Sequence, residues 1–191
     1  MVESLPPSEK AWLEYTKAKE SFILRLFYGQ IKSTVKCTVC SKESATYETF
    51  SNLSLELPPS NVDRCHIQES FNMYFNGERV KGWNCPHCKS PRDAIKKLDI
   101  SKLPPVLVIH LKRFSAETYT NSFKKKTLYV DFPLGDMNML PYVARSEKNN
   151  GSNSKHTYKL YAVSNHYGTM ESGHYTGERS FLNNVIMLRH L

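Results

Sequence analysis

The residues of this chain best suited to chemistry are four cysteines in two pairs, Cys37-x-x-Cys40 and Cys85-x-x-Cys88, and the histidine of Gly173-His174-Tyr175. Two thiolates two residues apart at a tight turn can face one ion, and a second such turn completes a tetrahedron. Zn²⁺ suits that arrangement, because it binds thiolate well and asks only for four-coordination. Four protein sulfurs leave no position for water, so the expected metal is structural. The stretch between Cys40 and Cys85 is longer than a small ribbon needs, and the site is expected to pin two separate hairpins together. Disulfides and two incidental pairs are the alternatives. The first is opposed by the opening MVESLPPSEK, which has no apolar h-region and points to a reducing, cytosolic compartment. Cys65 has only His66 organised beside it, and adjacent residues on a helix do not face each other. It is therefore expected to be a packed or partly exposed structural thiol. His87, inside the second turn, is expected beside the ligands rather than among them.

A glycine ahead of a histidine lets the backbone approach a substrate more closely than a side chain would allow. His174 can then act as a general base toward a thiol, provided a cysteine lies within about 3 Å in the fold. A histidine in an ordinary polar hairpin is the other reading of those three residues taken alone.

The chain has 191 residues, 40% hydrophobic and 12% aromatic, enough for one core or a core with a small subdomain in a soluble globular protein. The longest apolar run, residues 104–109, is far short of the roughly 20 residues of a membrane span. The net charge of +8 is diffuse, and the pI is near 9.2. Only Lys124-Lys125-Lys126 forms a run, read as a solvated hairpin tip. No aromatic-and-basic face is evident, so nucleic acid is not expected as a partner.

The elements that must position these residues follow from periodicity. Pro6-Pro7-Ser8 reads as a helix start with Ser8 as cap. Trp12, Tyr15, Phe22, Ile23, Leu26 and Phe27 continue one amphipathic helix to about Phe27, before Gly29. Ile31, Ser33 and Val35 alternate with Lys32, Thr34 and Lys36, and a second alternating run contains Thr46, Glu48 and Phe50. Together with the CTVCSK turn they predict a long hairpin ended by Pro58-Pro59. A short helix is expected after Asp63. The turn WNCPHCKSPRDA leads into AIKKLDISKLP and the buried-looking strand PVLVIHLKRF. Further strands are expected around Phe123, over residues 128–132 and over 158–164, with a surface loop at 146–155. The class is α+β, dominated by antiparallel strands.

The order and wording of FYGQIKSTVKCTVC, FSNLSLELP, WNCPHC, KLPPVLVIHLKRF, VDFPL and YAVSNHYGTMESGHYT resemble the ubiquitin-specific protease family of cysteine deubiquitinases. The resemblance covers about residues 21–176. It implies the fingers-and-palm part of a papain-like catalytic domain: fingers at about 30–100 with zinc on Cys37, Cys40, Cys85 and Cys88, and palm at about 101–176. It further implies that His174 is the catalytic histidine, that residues 167–173 fold over ubiquitin's tail, and that ubiquitin and ubiquitinated proteins are the partners. The wording is nearest to an endosomal branch of the family, which implies a cytoplasmic chain associated with endosomes.

Two departures accompany the match. The family's nucleophile box, Asn-x-Gly-Asn-Thr-Cys, does not occur in these residues. After Thr176 the text changes to GERSFLNNVIMLRHL, without the family's strand, tryptophan and Asp-Asp pair. Residues 177–191 are thus expected to be a divergent tail. Asn183 and Asn184 are not expected to orient the imidazole. The expectation is a partial catalytic domain, inactive by itself; a catalytically dead ubiquitin-binding zinc module is the alternative.

Overall fold

The computed structural model describes residues 4–17, 19–59, 62–116, 123–148, 156–179 and 185–190. Helix α1 (Pro7–Thr16) starts with proline at its first position, where the missing N–H would be unsatisfied anyway. Pro6, not Ser8, is the cap; Ser8 lies inside the helix and is buried. The single helix expected to reach Phe27 is two. Lys17 closes α1, and Ser21, in extended conformation, starts α2 (Phe22–Phe27) by accepting a hydrogen bond from the Leu24 amide at 3.1 Å. The apolar period runs on through the break, so the cap rather than the hydrophobic spacing marks it.

The chain continues through β1 (Gly29–Cys37), β2 (Glu43–Phe50), β3 (Leu53–Leu55), β4 (Arg64–His66), α3 (Ile67–Phe75), β5 (Glu78–Cys85), β6 (Ser90–Lys102) and β7 (Val106–Leu111). It then forms β8 (Phe114–Ala116), β9 (Phe123–Lys125), β10 (Tyr129–Asp131), β11 (Asp136–Asn138), a 3-10 turn at Leu140–Tyr142 and α4 (Arg145–Lys148). The last elements are β12 (Thr157–Gly168), β13 (Gly173–Arg179) and β14 (Val185–His190). The long hairpin, the short helix after Asp63 and the strands around Phe123, 129–131 and 157–168 lie where periodicity placed them. Of the loop expected at 146–155, residues 146–148 are in α4 and 149–155 lie outside the described residues.

Two larger sheets organise the molecule. The first is antiparallel throughout, in the order β2-β1-β6-β5. The second is mixed, in the order β11-β12-β14-β7-β3, with β13 paired to β12. In it β14 runs parallel to both β7 and β12 and separates them. The sequence reading placed no strand beyond Thr176. The reason is visible in the text: Val185-Ile186-Met187-Leu188 is a continuous apolar run without alternation, so a period-two pattern does not mark it as a strand.

Most of the core gathers between the second sheet and α3. Leu107, Ile109 and Leu111 on β7 are fully buried, as are Leu53, Leu55, Ile67, Phe71 and Met139. Phe71 and Phe75 pack on the Tyr142 ring at 5.3 and 4.8 Å. The Tyr142 hydroxyl accepts from Gln68 Nε2 at 2.7 Å and donates to Asn72 Oδ1 at 3.1 Å, so its polar tip is satisfied while its ring is buried.

Candidate functional site

The two cysteine pairs sit at the tips of β1–β2 and β5–β6. Each tip is the same device: the amide of Ser41 donates to the Cys37 carbonyl at 3.1 Å, and that of Lys89 to the Cys85 carbonyl at 2.8 Å. Ser41 and Lys89 both take left-handed backbone, with φ of 58° and 52°. Thr38 locks the first tip to β6, its amide and hydroxyl both donating to the Asp93 carbonyl at 3.0 and 2.8 Å. The ligand atoms of Cys37, Cys40, Cys85 and Cys88 all lie within 4.8 Å of one another. Cys40 and Cys85 sulfurs are 3.6 Å apart. A tetrahedron with Zn–S bonds of about 2.3 Å has edges of about 3.8 Å, so the four thiols fit this ion.

The thiols also show why a cation belongs there. The Cys40 amide, aimed at the Cys37 sulfur, draws its pKa down to about 7. Hydrogen bonding to Cys40, then burial, pushes Cys88 up to about 12. A backbone donor favours the Cys37 thiolate, while hydrogen bonding among the thiols and burial disfavour that of Cys88, and a bound cation would favour both thiolates. With four sulfurs as ligands, zinc would cross-link the hairpins and leave no open position for substrate. His87 is exposed and outside the cluster, and Cys65 is buried on β4, as expected of both. Burial, followed by the nearby Glu69 carboxylate, raises the Cys65 pKa, which is the opposite of an activated nucleophile.

At the other end of the chain β12 and β13 form a hairpin in which Tyr167 faces His174 and Gly168 faces Gly173. The turn closes with the Thr169 amide donating to the Ser172 carbonyl at 2.8 Å. Both glycines are required by geometry. Gly168 has φ of +101°, and a Cβ there would overlap the Ser172 carbonyl. A Cβ on Gly173 would overlap His166 Nε2 and would lie 2.6 Å from the Tyr167 carbonyl oxygen. His174 is exposed at the start of β13, with Tyr167, Met170 and Tyr175 exposed around it at 58%, 49% and 51%.

Sequence reasoning missed the support beneath this turn. The His166 ring lies 4.7 Å from that of Tyr175 and meets Phe114 edge-on at 5.7 Å. Lys125 Nζ donates to His166 Nδ1, to the His166 carbonyl and to the Gly168 carbonyl, each at 2.9 Å. Lys126 Nζ donates to the Leu57 carbonyl at 3.1 Å. The lysine run is therefore not a freely solvated tip: two of its three members are spent on backbone acceptors. Arg113, buried, donates to the Lys126 and Leu128 carbonyls at 3.1 and 2.8 Å, and burial lowers its pKa. A groove of about 1030 Å³ opens beside this cluster, between β12 and residues 125–136, with Lys125, His166 and Tyr167 in its wall. Asn183 and Asn184, set aside as orienting groups, lie outside the described residues.

The model of the family described as ubiquitin carboxyl-terminal hydrolase matches residues 1–184. The chain belongs to the ubiquitin carboxyl-terminal hydrolase family. It is 38% identical to the ubiquitin carboxyl-terminal hydrolase Usp2 of Drosophila melanogaster over 91% of its own length and 18% of the relative's. It is 35% identical to human ubiquitin carboxyl-terminal hydrolase 21 over 86% of this chain and 29% of that one. The chain thus spans less than a third of these two curated relatives. Among solved structures, a chain of the SAGA Ubp8/Sgf11/Sus1/Sgf73 DUB module bound to ubiquitin aldehyde superposes with a TM-score of 0.74 at 29% identity. That match covers 93% of this chain and 40% of the other. The α+β hydrolase fold expected from the resemblance is the fold observed, with most strand pairings among the described residues antiparallel. The cysteine cluster is placed as this family's zinc ribbon was expected to be. Among the described residues no helix is long and apolar enough to cross a membrane.

Proposed function

We propose that these residues are the ubiquitin-gripping and base-carrying part of a thiol-dependent deubiquitinase, and that they do not hydrolyse ubiquitin conjugates alone. The β2-β1-β6-β5 sheet with its zinc would serve as the fingers, and the mixed sheet as the palm. The observation that carries this reading is the histidine turn. Two glycines, each with its side-chain space filled by backbone or by His166, deliver an exposed His174 opposite Tyr167, which lies in the groove wall.

In the reaction the family performs, a thiolate attacks the carbonyl at ubiquitin's C-terminus. His174 would take the thiol proton and return it to the leaving lysine amine. None of the five cysteines of the sequence suits the thiol role: four form the metal cluster, and Cys65 is buried with a raised pKa. The nucleophile must therefore come from residues other than these 191. Purified protein incubated with a ubiquitin–fluorophore conjugate is expected to show no turnover above buffer, and measurable turnover sinks the inactivity claim. Supplied with the missing segment, the protein should turn over, and H174A should abolish that turnover while leaving the fold intact.

A second reading has its own support. The exposed Tyr167, Met170 and Tyr175 around the turn, and Val39 at 64% exposure on the first cysteine tip, are apolar groups that can hold ubiquitin without chemistry. NMR titration with ubiquitin checks both readings, and a flat titration removes them together.

A further inference from the structure

We infer that Lys125 is a positioning residue for the histidine turn: its ammonium locks His166 into one tautomer, and the locked His166 ring fixes the backbone at Gly173, the residue that delivers His174. The latch is a matter of geometry alone; its bearing on catalysis rests on the function proposed above.

An ammonium carries three N–H donors and no acceptor. Around Lys125 Nζ there are three acceptors, His166 Nδ1 and the carbonyls of His166 and Gly168, all at 2.9 Å. Donors and acceptors match in number, and two of the acceptors are the backbone on either side of Tyr167. Because Lys125 can only donate, Nδ1 of His166 must accept, and the ring proton must sit on Nε2. A second proton would have to enter at Nδ1, against the ammonium that already occupies it. Burial and the Lys125 charge both lower the His166 pKa accordingly, while burial and then Arg113 lower that of Lys125.

The other edge of the ring completes the argument. His166 Nε2 stands where a side chain on Gly173 would be, so ring position and Gly173 position cannot vary independently. Phe114 and Tyr175 hold the ring on its remaining sides. The contact path runs Lys125, His166, Gly173 and then His174. It starts on β9, in the hairpin with β8, and so couples two segments that are distant in sequence. It also divides labour between the histidines: His166 is held neutral as a structural wedge, and His174 is left exposed as the base.

The test is imidazole ¹⁵N–¹H correlation NMR on the 191-residue protein. The wild type should show His166 as the pure Nε2–H tautomer at neutral pH. K125M keeps the length and removes the donors. It should give a mixture of tautomers, a His166 titration shifted up toward about 6.5, and displaced amide signals at Gly173 and His174. K125R, which again only donates, should restore the Nε2–H form. Ubiquitin affinity should fall about tenfold in K125M, in line with one charge-assisted contact set. An Nδ1–H or doubly protonated His166 in the wild type overturns the inference, and that measurement stands even if K125M does not fold. Unchanged tautomer and amide signals in a folded K125M overturn it as well. If the wild type does not bind ubiquitin, the functional reading fails, and the tautomer result alone judges the latch.

Discussion

The Tyr158 hydroxyl donates to the Pro104 carbonyl at 2.5 Å. It ties β12 to the chain just before β7, although β14 lies between those strands in the sheet. Both partners are interior, and burial raises the Tyr158 pKa above its ordinary value. Y158F leaves the Pro104 carbonyl without this donor and is expected to cost about 1–3 kcal/mol in urea unfolding. The sign with pH follows. A tyrosine whose folded pKa is raised contributes fully below its unfolded value near 10, and loses that contribution as pH rises beyond it. The alkaline decline should therefore be shallower in Y158F, and an identical decline in both proteins removes the role assigned to this bond.

The cysteine cluster should bind about one zinc per chain, measurable by elemental analysis. C85S should lose the metal and spread the signals of the two cysteine tips, which lie at the end of the β1–β6 ladder and beyond it share the Thr38–Asp93 hydrogen bonds, while the ladder itself keeps β1 and β6 together. Zinc uptake must displace the protons still held by the cluster, Cys88 above all. Affinity should therefore fall as pH drops, with protons released on binding. Affinity that does not change between acid and neutral pH would contradict thiolate ligation.

Gly168→Ala and Gly173→Ala are expected to damage the turn by different routes. The first forces a side chain into φ of +101° and onto the Ser172 carbonyl; the second drives a methyl into the His166 ring. Each should cost about 1–3 kcal/mol locally, seen as faster hydrogen exchange over 166–175 with the α3 core unaffected. Wild-type exchange in either variant would mean that the turn can relax at no cost.

Arg64 clamps the Asp131 carboxylate with two donors, Nε and Nη2, the latter at 2.7 Å, and its guanidinium lies 5.0 Å from the Tyr129 ring. The clamp holds the Asp131 pKa below its usual value. A depressed carboxylate contributes above its unfolded pKa, near 3.9, and loses that contribution as pH falls through the lower folded value. The D131N protein should lack that acid-range slope while matching the wild type less closely at neutral pH. Because the pair is exposed, the effect should shrink in high salt.

The features legible in the sequence are those set over short distances along the chain. The cysteine tips, the β1–β2 hairpin and β7 are local patterns, in which spacing and alternation already imply the fold that buries them. The helix break at Ser21 was missed because a cap is one hydrogen bond inside an unbroken apolar period. The strand β14 escapes a period-two reading because its apolar run carries no alternation.

The sequence by itself determined which residue types were present at ligand spacing, and that Gly173 precedes His174; both are facts of neighbouring positions. Only the tertiary structure decided that two cysteine tips meet within 4.8 Å. The same holds for Lys125, which is no solvated lysine but the support under His166. No rule of composition carries that information. A charged side chain becomes a latch only when three acceptors from another strand converge on it, and strand pairing far along the chain brings them there.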